Sequence, residues 1–345
     1  MGGLDSGPAG QAARENGGEA SLESTGKASL ENTGEADREA PRGNASEVGG
    51  EASGANPIEQ NIRIRLDIRY RGTRFHGWAV QPGHPTIQGA IEDGLALLLR
   101  EPVRLTVAGR TDAGVHARNQ VAHFDVHPDR IRALAHDSAL DNGLRLLRNR
   151  LNTLLARTSE TPGSDIVILR ASAVSADFDA RFSALRRYYA YRISDSIDTR
   201  DPQLADAVWW INYPLDESAM SAAANHLIGE HDFLSFCKPR PDATTIRTLQ
   251  AISVTRDAQG IVIELSADAF CHSMVRSIVG ALVEVGRGRR SELWIKQLVD
   301  NPGRSQPAPV APAHGLTMLK VDYASEDQWA KRQEQTRRRR DQQTD

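Results

Sequence analysis

The segment "AGRTDAGVHA", residues 108–117, contains two glycines, an arginine and an aspartate within ten positions. It follows the alternating "VRLTV" at 103–107 and precedes the apolar "QVAHF" at 120–124, a pattern that predicts a tight loop between two strands. Gly109 and Gly114 allow the backbone to bend sharply or to approach a ligand closely. The loop is therefore a candidate functional site.

Arg110 and Asp112 are the charged residues of this loop. If the backbone stays extended, their side chains lie on the same side and form an ion pair, because side chains alternate along a strand. A nearby cation favours the charged form of a carboxyl group. An ionised, accessible aspartate serves as a nucleophile, a general base or a metal ligand. The alternative is an ordinary Arg–Asp pair that fixes the loop, which spacing alone favours because such pairs are common on surfaces.

A metal site is a further alternative for the same region. Asp112, His116 and His123 place a carboxylate and two imidazoles close together in the sequence. No HExxH spacing fixes the donors on one face, so the pattern favours two hydrogen-bonded histidines over a metal site. Neither GxGxxG nor GxxxxGK[ST] occurs, which argues against dinucleotide and P-loop sites.

Composition sets the class of the protein. The chain has 345 residues, of which 39% are hydrophobic and 25% charged, the balance of a soluble protein with room for two domains. We find no long apolar stretch and no basic and apolar leader, so we expect a cytoplasmic protein without a membrane span. Cys237 and Cys271 are far apart and form no CxxC motif, so we expect buried, reduced thiols.

Both ends of the chain differ from its middle. Residues 1–58 hold 12 of the 28 glycines and no aromatic residue, which predicts a disordered, low-complexity, acidic tail. Residues 1–60 carry 4 Lys/Arg against 11 Asp/Glu, and the rest carries 38 against 34. The folded part is thus mildly basic, which permits a polyanionic partner without requiring one. Residues 326–345 form a basic, polar tail, which favours a solvated helix end over a phosphate contact.

Strand and helix patterns occur twice between the tails. "IRIRLDIRY" at 62–70 alternates apolar and charged residues, and "TIQGAIEDGLALLLR" at 86–100 has helical apolar spacing behind a Thr86 cap. Later, "AISVTRDAQGIVIELSA" at 251–267 predicts a hairpin, and "MVRSIVGALVEVG" at 274–286 predicts a helix. This order predicts an α+β protein with two similar halves, each a sheet backed by helices.

Aromatic and basic residues are interleaved in "ARFSALRRYYAYRI" at 180–193. A strand here would offer Tyr189 and Tyr191 to stack on a base, with arginines to neutralise phosphate. An equally supported alternative is a strand with its tyrosines in the core and its arginines in water. Arg276 lies on an otherwise apolar helix, where a charged residue is unusual.

Five segments together resemble the motifs of one family, the tRNA pseudouridine synthase A family. They are "LDIRYRGTRFHGW" at 66–78 with Gln81, "AGRTDAGVHARNQVAHFD" at 108–125, "FDARFSALRRYYAY" at 178–191, "HDFLSF" at 231–236 and "DAFCHSMVRSIVGALVEVG" at 268–286. The resemblance runs from about residue 62 to 322 and leaves both tails uncovered.

The resemblance implies a fold and an activity. The fold is α+β, with two similar mixed-sheet domains backed by helices, at 59–170 and 171–325, and a basic cleft between them. The activity is a cofactor-free isomerisation of uridine to pseudouridine in the anticodon stem-loop of tRNA, usually by a homodimer. The glycosidic bond breaks, the base turns, and a carbon–carbon bond forms. The alternatives are a non-catalytic tRNA-binding or chaperone protein of this fold and, third, a metal-dependent hydrolase.

The resemblance also implies roles for single residues. The essential aspartate of the family matches Asp112, as nucleophile. The neighbouring arginine matches Arg110, which would pair with Asp112 and hold the position that the target base vacates when it flips out. Tyr189 would stack on the uracil, beside the point where a proton leaves the ring, and Arg276 would contact Asp112 or phosphate. Tyr188 stands where the family often has arginine, and a one-residue slip would turn the side chain to the other sheet face.

One departure from the family lies inside the predicted domains. The family passes quickly from an Asn-x-x-Leu segment, here within 151–155, to a strand that begins near Asp165. This chain inserts "ARTSETPGS" at 156–164. We expect the insertion to be able to alter the approach of the substrate.

Overall fold

The computed structural model describes residues 60–135, 139–160, 162–238, 244–303 and 307–342, with side chains to residue 336. The disordered tail predicted at 1–58 lies outside these residues. In the described residues, one sheet is formed by ten strands. They are β1 (Ile62–Tyr70), β2 (Thr106–Val107), β3 (His116–Val126), β4 (Ile166–Val174), β5 (Ala184–Ser194), β6 (Trp209–Trp210), β7 (Gly229–Asp232), β8 (Ile246–Asp257), β9 (Gly260–Ala267) and β10 (Leu316–Tyr323).

Seven α-helices accompany the sheet in the described part of the chain. They are α1 (Ile87–Leu99), α2 (Pro128–Ala135), α3 (Leu140–Arg157), α4 (Glu217–Asn225), α5 (Met274–Gly286), α6 (Glu292–Asp300) and α7 (Trp329–Gln342). Helices α1 to α3 pack together, with α3 on β4, and α4 to α6 pack together, with α4 on β8. Each group backs one half of the sheet.

The two halves of the sheet meet near its middle. The strand order is β4-β1-β3-β10-β5-β9-β8-β7, with β2 beside β3 and β6 beside β5. Strands β3 and β10 run parallel, while the pairs on either side of them in this order are antiparallel. The predicted α+β class with a mixed sheet is confirmed. The division into domains at 59–170 and 171–325 stays a prediction.

The sequence patterns explain the main elements. In β1, Ile64, Leu66 and Ile68 are fully buried, because residues two apart share one face of a strand. Helix α1 begins after Thr86, whose side chain accepts a hydrogen bond from the Gly89 amide as predicted. The predicted hairpin forms as β8 and β9, and the predicted helix at 274–286 forms as α5.

The turn at 72–78 fixes the loop between β2 and β3. The Trp78 amide donates to the Thr111 carbonyl at 3.0 Å, and the Gly114 amide donates to the Phe75 carbonyl at 3.3 Å. A Cβ on Gly77, whose φ is +89°, would lie 2.8 Å from the Thr111 oxygen, so the approach requires glycine. The loop therefore rests on a backbone support at the start of β3, near the junction of the two halves.

One residue of the last helix and one of the insertion contact the folded part of the chain. Trp329 at the start of α7 is buried against Phe178, with 5.0 Å between ring centroids, so the tail predicted at 326–345 contains a packed residue. In the insertion at 156–164, Glu160 forms an ion pair with Arg74 of the supporting turn. Among the residues described, no helix is long and apolar enough to cross a membrane.

Candidate active site

Asp112 lies at a turn in the loop between β2 and β3. Its carbonyl oxygen accepts a hydrogen bond from the Val115 amide at 3.2 Å. Gly114 completes the turn at a φ of +80°, a conformation that favours glycine. The Asp112 side chain is 25% exposed. The turn therefore presents a partly buried carboxylate that solvent or a ligand can still reach.

Three side chains of one segment approach this carboxylate. Ser273 Oγ lies 3.1 Å from Oδ2, and Arg276 Nη1 lies 3.2 Å from the same oxygen. His272 Nε2 lies 3.5 Å from Oδ1. The segment leads from β9 into α5, whose N-terminus carries partial positive charge and favours an anion. A guanidinium, a hydroxyl, an imidazole and a helix end thus surround the negative charge of Asp112.

Arg276 is held in place for its contact with Asp112. Its Nε donates to the Ala311 carbonyl at 2.8 Å while Nη1 reaches the carboxylate. The resemblance implied a contact of Arg276 with Asp112 or with phosphate, and the structure contains the contact with Asp112. A role of Arg276 in binding substrate stays a prediction.

Arg110 does not pair with Asp112. Between the described side chains, the ion pairs of Asp112 are with His272 and Arg276, and Arg110 is exposed. The expected Arg110–Asp112 pair is wrong, because the Asp112 carboxylate is directed toward Ser273 and Arg276 while the Arg110 side chain is exposed. Because Arg110 is exposed, its contact with a ligand stays a prediction.

Tyr189 of β5 faces the same space as the loop. Its side chain is buried, and its ring meets that of Phe270 edge-on with 5.1 Å between centroids. Burial raises the pKa of Tyr189 above its ordinary value, and the nearby Tyr70 and the Asp112 carboxylate add to the rise. The phenol is therefore neutral at neutral pH, which suits stacking and hydrogen bonding rather than action as a phenolate base.

Tyr188 lies on the opposite face of β5. Its hydroxyl donates to Asp322 Oδ2 at 2.6 Å, and Lys320 Nζ lies 4.3 Å from the centre of its ring. Because neighbouring residues of a strand point to opposite faces, Tyr188 has no access to the space beside Asp112. The stacking role of Tyr189 stays a prediction.

Arg187 joins the two segments of the site from behind. Its Nη2 donates to the Ala108 carbonyl at 3.0 Å and to the Arg181 carbonyl at 2.7 Å, and its Nη1 donates to the Asp268 carbonyl. The side chain is buried, and this burial lowers the pKa of Arg187. Its fork of donors ties the start of the loop to the chain that leads into α5.

A buried hydrogen-bond network supports the loop on its other side. The hydroxyls of Tyr70 and Thr111 are 2.8 Å apart. Gln120 Nε2 donates to the Tyr70 hydroxyl at 3.3 Å and to the Gly109 carbonyl at 2.8 Å. Burial raises the pKa of Tyr70 to about 12, so its hydroxyl stays a neutral partner. The loop backbone is thus anchored at residues on both sides of Arg110.

The two histidines of the metal hypothesis have separate structural roles. His116 Nδ1 accepts from the Gly72 amide at 3.2 Å, and Nε2 lies 2.8 Å from the Asp206 carbonyl. His123 Nδ1 accepts from the Ala180 amide at 3.0 Å. Burial lowers the pKa of both imidazoles. Within the described residues, no group of three or more His, Cys, Asp or Glu side chains is placed to hold a metal ion.

Cys237 and Cys271 form a disulfide, with their Cα atoms 5.9 Å apart. The expectation of reduced thiols is wrong, because distance along the chain says nothing about distance in the fold. The hairpin of β8 and β9 returns the chain to its start, where the Lys238 amide donates to the His272 carbonyl at 3.0 Å. The disulfide therefore lies directly beside the segment that contacts Asp112.

Comparison with known proteins shows which family this chain belongs to. A family model described as tRNA pseudouridine synthase matches residues 223–324. The "tRNA pseudouridine synthase A" of Leifsonia xyli is 46% identical over 294 residues, which cover 81% of this chain and 98% of that protein. The chain belongs to the tRNA pseudouridine synthase A family. Proteins of the same name from Frankia casuarinae and Mycobacterium leprae are 47% and 44% identical, covering 80% of this chain and 94% of each relative.

Three of the four predicted site residues lie close together. The structure brings together Asp112, Tyr189 and Arg276 and leaves Arg110 exposed at the same loop. Two contacts of Asp112, from His272 and Ser273, were missed in the sequence. The available signal was their position between Phe270 and the helix of Arg276, in a polar stretch just before an apolar helix.

Proposed function

We propose that this protein isomerises uridine to pseudouridine in tRNA, with the uridines of the anticodon stem-loop as its substrates. The observation that carries the proposal is the carboxylate of Asp112, held by Ser273 and Arg276 of the same segment whose Phe270 packs against the buried ring of Tyr189. A nucleophile opposite an aromatic stacking surface is the arrangement that a flipped uracil nucleotide requires. Membership of the family supports the same reaction.

The reaction rearranges one nucleotide without gain or loss of atoms. The bond between C1′ of the ribose and N1 of the uracil breaks, and a bond between C1′ and C5 forms. The proton on C5 leaves the ring, and N1 takes up a proton. No oxidant, reductant or group donor enters this balance.

Asp112 supplies the nucleophile in this proposal. Its carboxylate can attack either C1′ of the ribose or a ring carbon of the uracil. Arg276 and Ser273 fix the orientation of the carboxylate, since preorganised donors need no rearrangement during the reaction. The ring of Tyr189 provides a surface on which the released uracil stays stacked while it turns.

Arg110 has a separate task in binding. A base in a stem is unreachable until it is flipped out, and in this proposal the exposed Arg110 fills the vacated position or contacts phosphate. We also propose that the protein has a basic cleft between two domains, forms a homodimer and is located in the cytoplasm. Their support is the resemblance of the sequence to the family and, for the partner, the excess of basic residues outside the acidic tail.

Pseudouridine mapping of cellular tRNA tests the function directly. Cells with and without this protein are compared, and cells complemented with Asp112→Asn serve as the control. We expect pseudouridine in the anticodon stem-loop only with the active protein. An unchanged map would refute the proposal, and a map restored by Asp112→Asn would favour the alternative of a non-catalytic tRNA-binding protein.

A further inference from the structure

Ser273 adopts a backbone conformation that serine rarely occupies. It lies at the start of α5 with φ 62° and ψ 8°, in the left-handed region. Among the described non-glycine residues, only Arg100 shares a positive φ. Residues other than glycine, asparagine and aspartate seldom enter this region. Where one does, the surrounding structure imposes it, and such residues cluster at functional sites.

The side chain of Ser273 also departs from its usual task. It occupies the N-cap of α5 but forms no hydrogen bond to the helix. Thr86 and Asp216, at the N-caps of α1 and α4, each accept a hydrogen bond from a helix amide. The hydroxyl of Ser273 lies instead 3.1 Å from Asp112 Oδ2. Since an ionised carboxylate only accepts, Ser273 is the donor.

The two oxygens of Asp112 are held unequally. Ser273 and Arg276 both approach Oδ2, at 3.1 and 3.2 Å, whereas Oδ1 has the longer 3.5 Å contact with His272. Two donors on one oxygen fix the plane of the carboxylate. They leave Oδ1 as the oxygen with more freedom to form a bond.

We propose that Ser273 is a positioning residue for the reaction, whose hydroxyl, delivered by the left-handed backbone, fixes Oδ2 of Asp112 and presents Oδ1 to the uridine. This inference rests on the proposed function. It gives a reason for the strained backbone: a residue with ordinary helical or extended φ at this position would point its side chain elsewhere. It also separates two properties of Ser273, the backbone conformation and the hydroxyl.

Two substitutions test these properties separately. Ser273→Gly removes the hydroxyl but suits the left-handed backbone. Ser273→Asn suits the same backbone and provides a side-chain N–H donor. Ser291→Gly is the matched control, since Ser291 is an exposed N-cap serine of α6 whose side chain also forms no hydrogen bond to its helix. For each protein, kcat and KM are measured by tritium release from tRNA labelled at C5 of uridine, together with the melting temperature.

We expect Ser273→Gly to melt at or above the wild-type temperature while kcat falls about ten- to a hundredfold and KM stays nearly unchanged. Ser273→Asn should recover most of the lost kcat, and Ser291→Gly should match wild type. Wild-type kcat in Ser273→Gly, or equal loss in the Gly and Asn variants, would overturn the positioning role alone. An inactive wild-type protein would instead overturn the proposed function, and this inference with it.

Discussion

The site has two sides that differ in how the fold builds them. The loop side, residues 108–117, is one continuous segment fixed by backbone hydrogen bonds to the turn at 72–78. The helix side, residues 268–276, meets Asp112 through side chains, from Ser273, His272 and Arg276. The loop side thus supplies the reactive carboxylate, and the helix side fixes its orientation. We therefore expect substitution of Asp112 on the loop side to abolish turnover, and substitutions on the helix side to lower kcat only in part.

The largest effect should come from Asp112→Asn on the loop side. The amide cannot act as the nucleophile, so we expect kcat to fall by about a thousandfold or more. The affinity for tRNA should change little, because contacts with phosphate supply most of the affinity. Turnover and tRNA binding are measured on the same preparation, with the exposed Asp93→Asn as control. An equal loss of binding and rate would contradict the assignment of Asp112.

Arg276 on the helix side should matter less than Asp112. Arg276→Gln removes the cation beside Oδ2 and should lower kcat about a hundredfold. Arg276→Lys keeps a charge but cannot reproduce the guanidinium fork that also bonds the Ala311 carbonyl. Its kcat should therefore lie between those of Arg276→Gln and the wild type. Steady-state kinetics of both variants test this order. A lysine variant with wild-type kcat would show that charge alone is sufficient on this side.

Tyr189 lies between the two sides and contributes a ring and a hydroxyl. Tyr189→Phe keeps the stacking surface and removes the hydroxyl. It should lower kcat about tenfold, the contribution of one hydrogen bond from that hydroxyl to the bound uridine. Tyr188→Phe, on the opposite face of β5, should leave kcat unchanged and lower only the melting temperature, since it loses the bond to Asp322. Kinetics and thermal melting of the two variants check this. A larger loss of kcat in Tyr188→Phe would reverse the assignment.

The sequence predicted the loop side better than the helix side. The loop, β1, α1, the hairpin of β8 and β9, and α5 follow from local patterns of glycine, charge and apolar spacing, which short segments contain in full. The partners of Asp112 do not, because Ser273 and Arg276 are more than 160 residues from it in the sequence; Ser273 was missed, and Arg276 was expected only from the resemblance to the family. Likewise, Asp112 pairs with the distant Arg276 rather than with Arg110, and the disulfide joins two cysteines 34 residues apart.

The smallest effect concerns the support of the loop side at low pH. Burial lowers the pKa of His116 below its ordinary value of 6.5, so between these two values the unfolded chain binds more protons than the folded protein. The free energy of unfolding should therefore fall as the pH drops through 6.5. Denaturant unfolding at several pH values should show this slope and a shallower one in His116→Asn. The exposed His84→Asn is the control, and a stability that rises on acidification would contradict a neutral, buried His116.

Tritium release from tRNA labelled at C5 of its uridines tests the central claim most directly. The purified wild-type protein is incubated with unmodified tRNA at several salt concentrations, in the presence of a metal chelator and with no other reactant. The account predicts catalytic release of tritium, because C5 loses its hydrogen as the new bond to C1′ forms. Binding of tRNA without release of tritium under all of these conditions would contradict it.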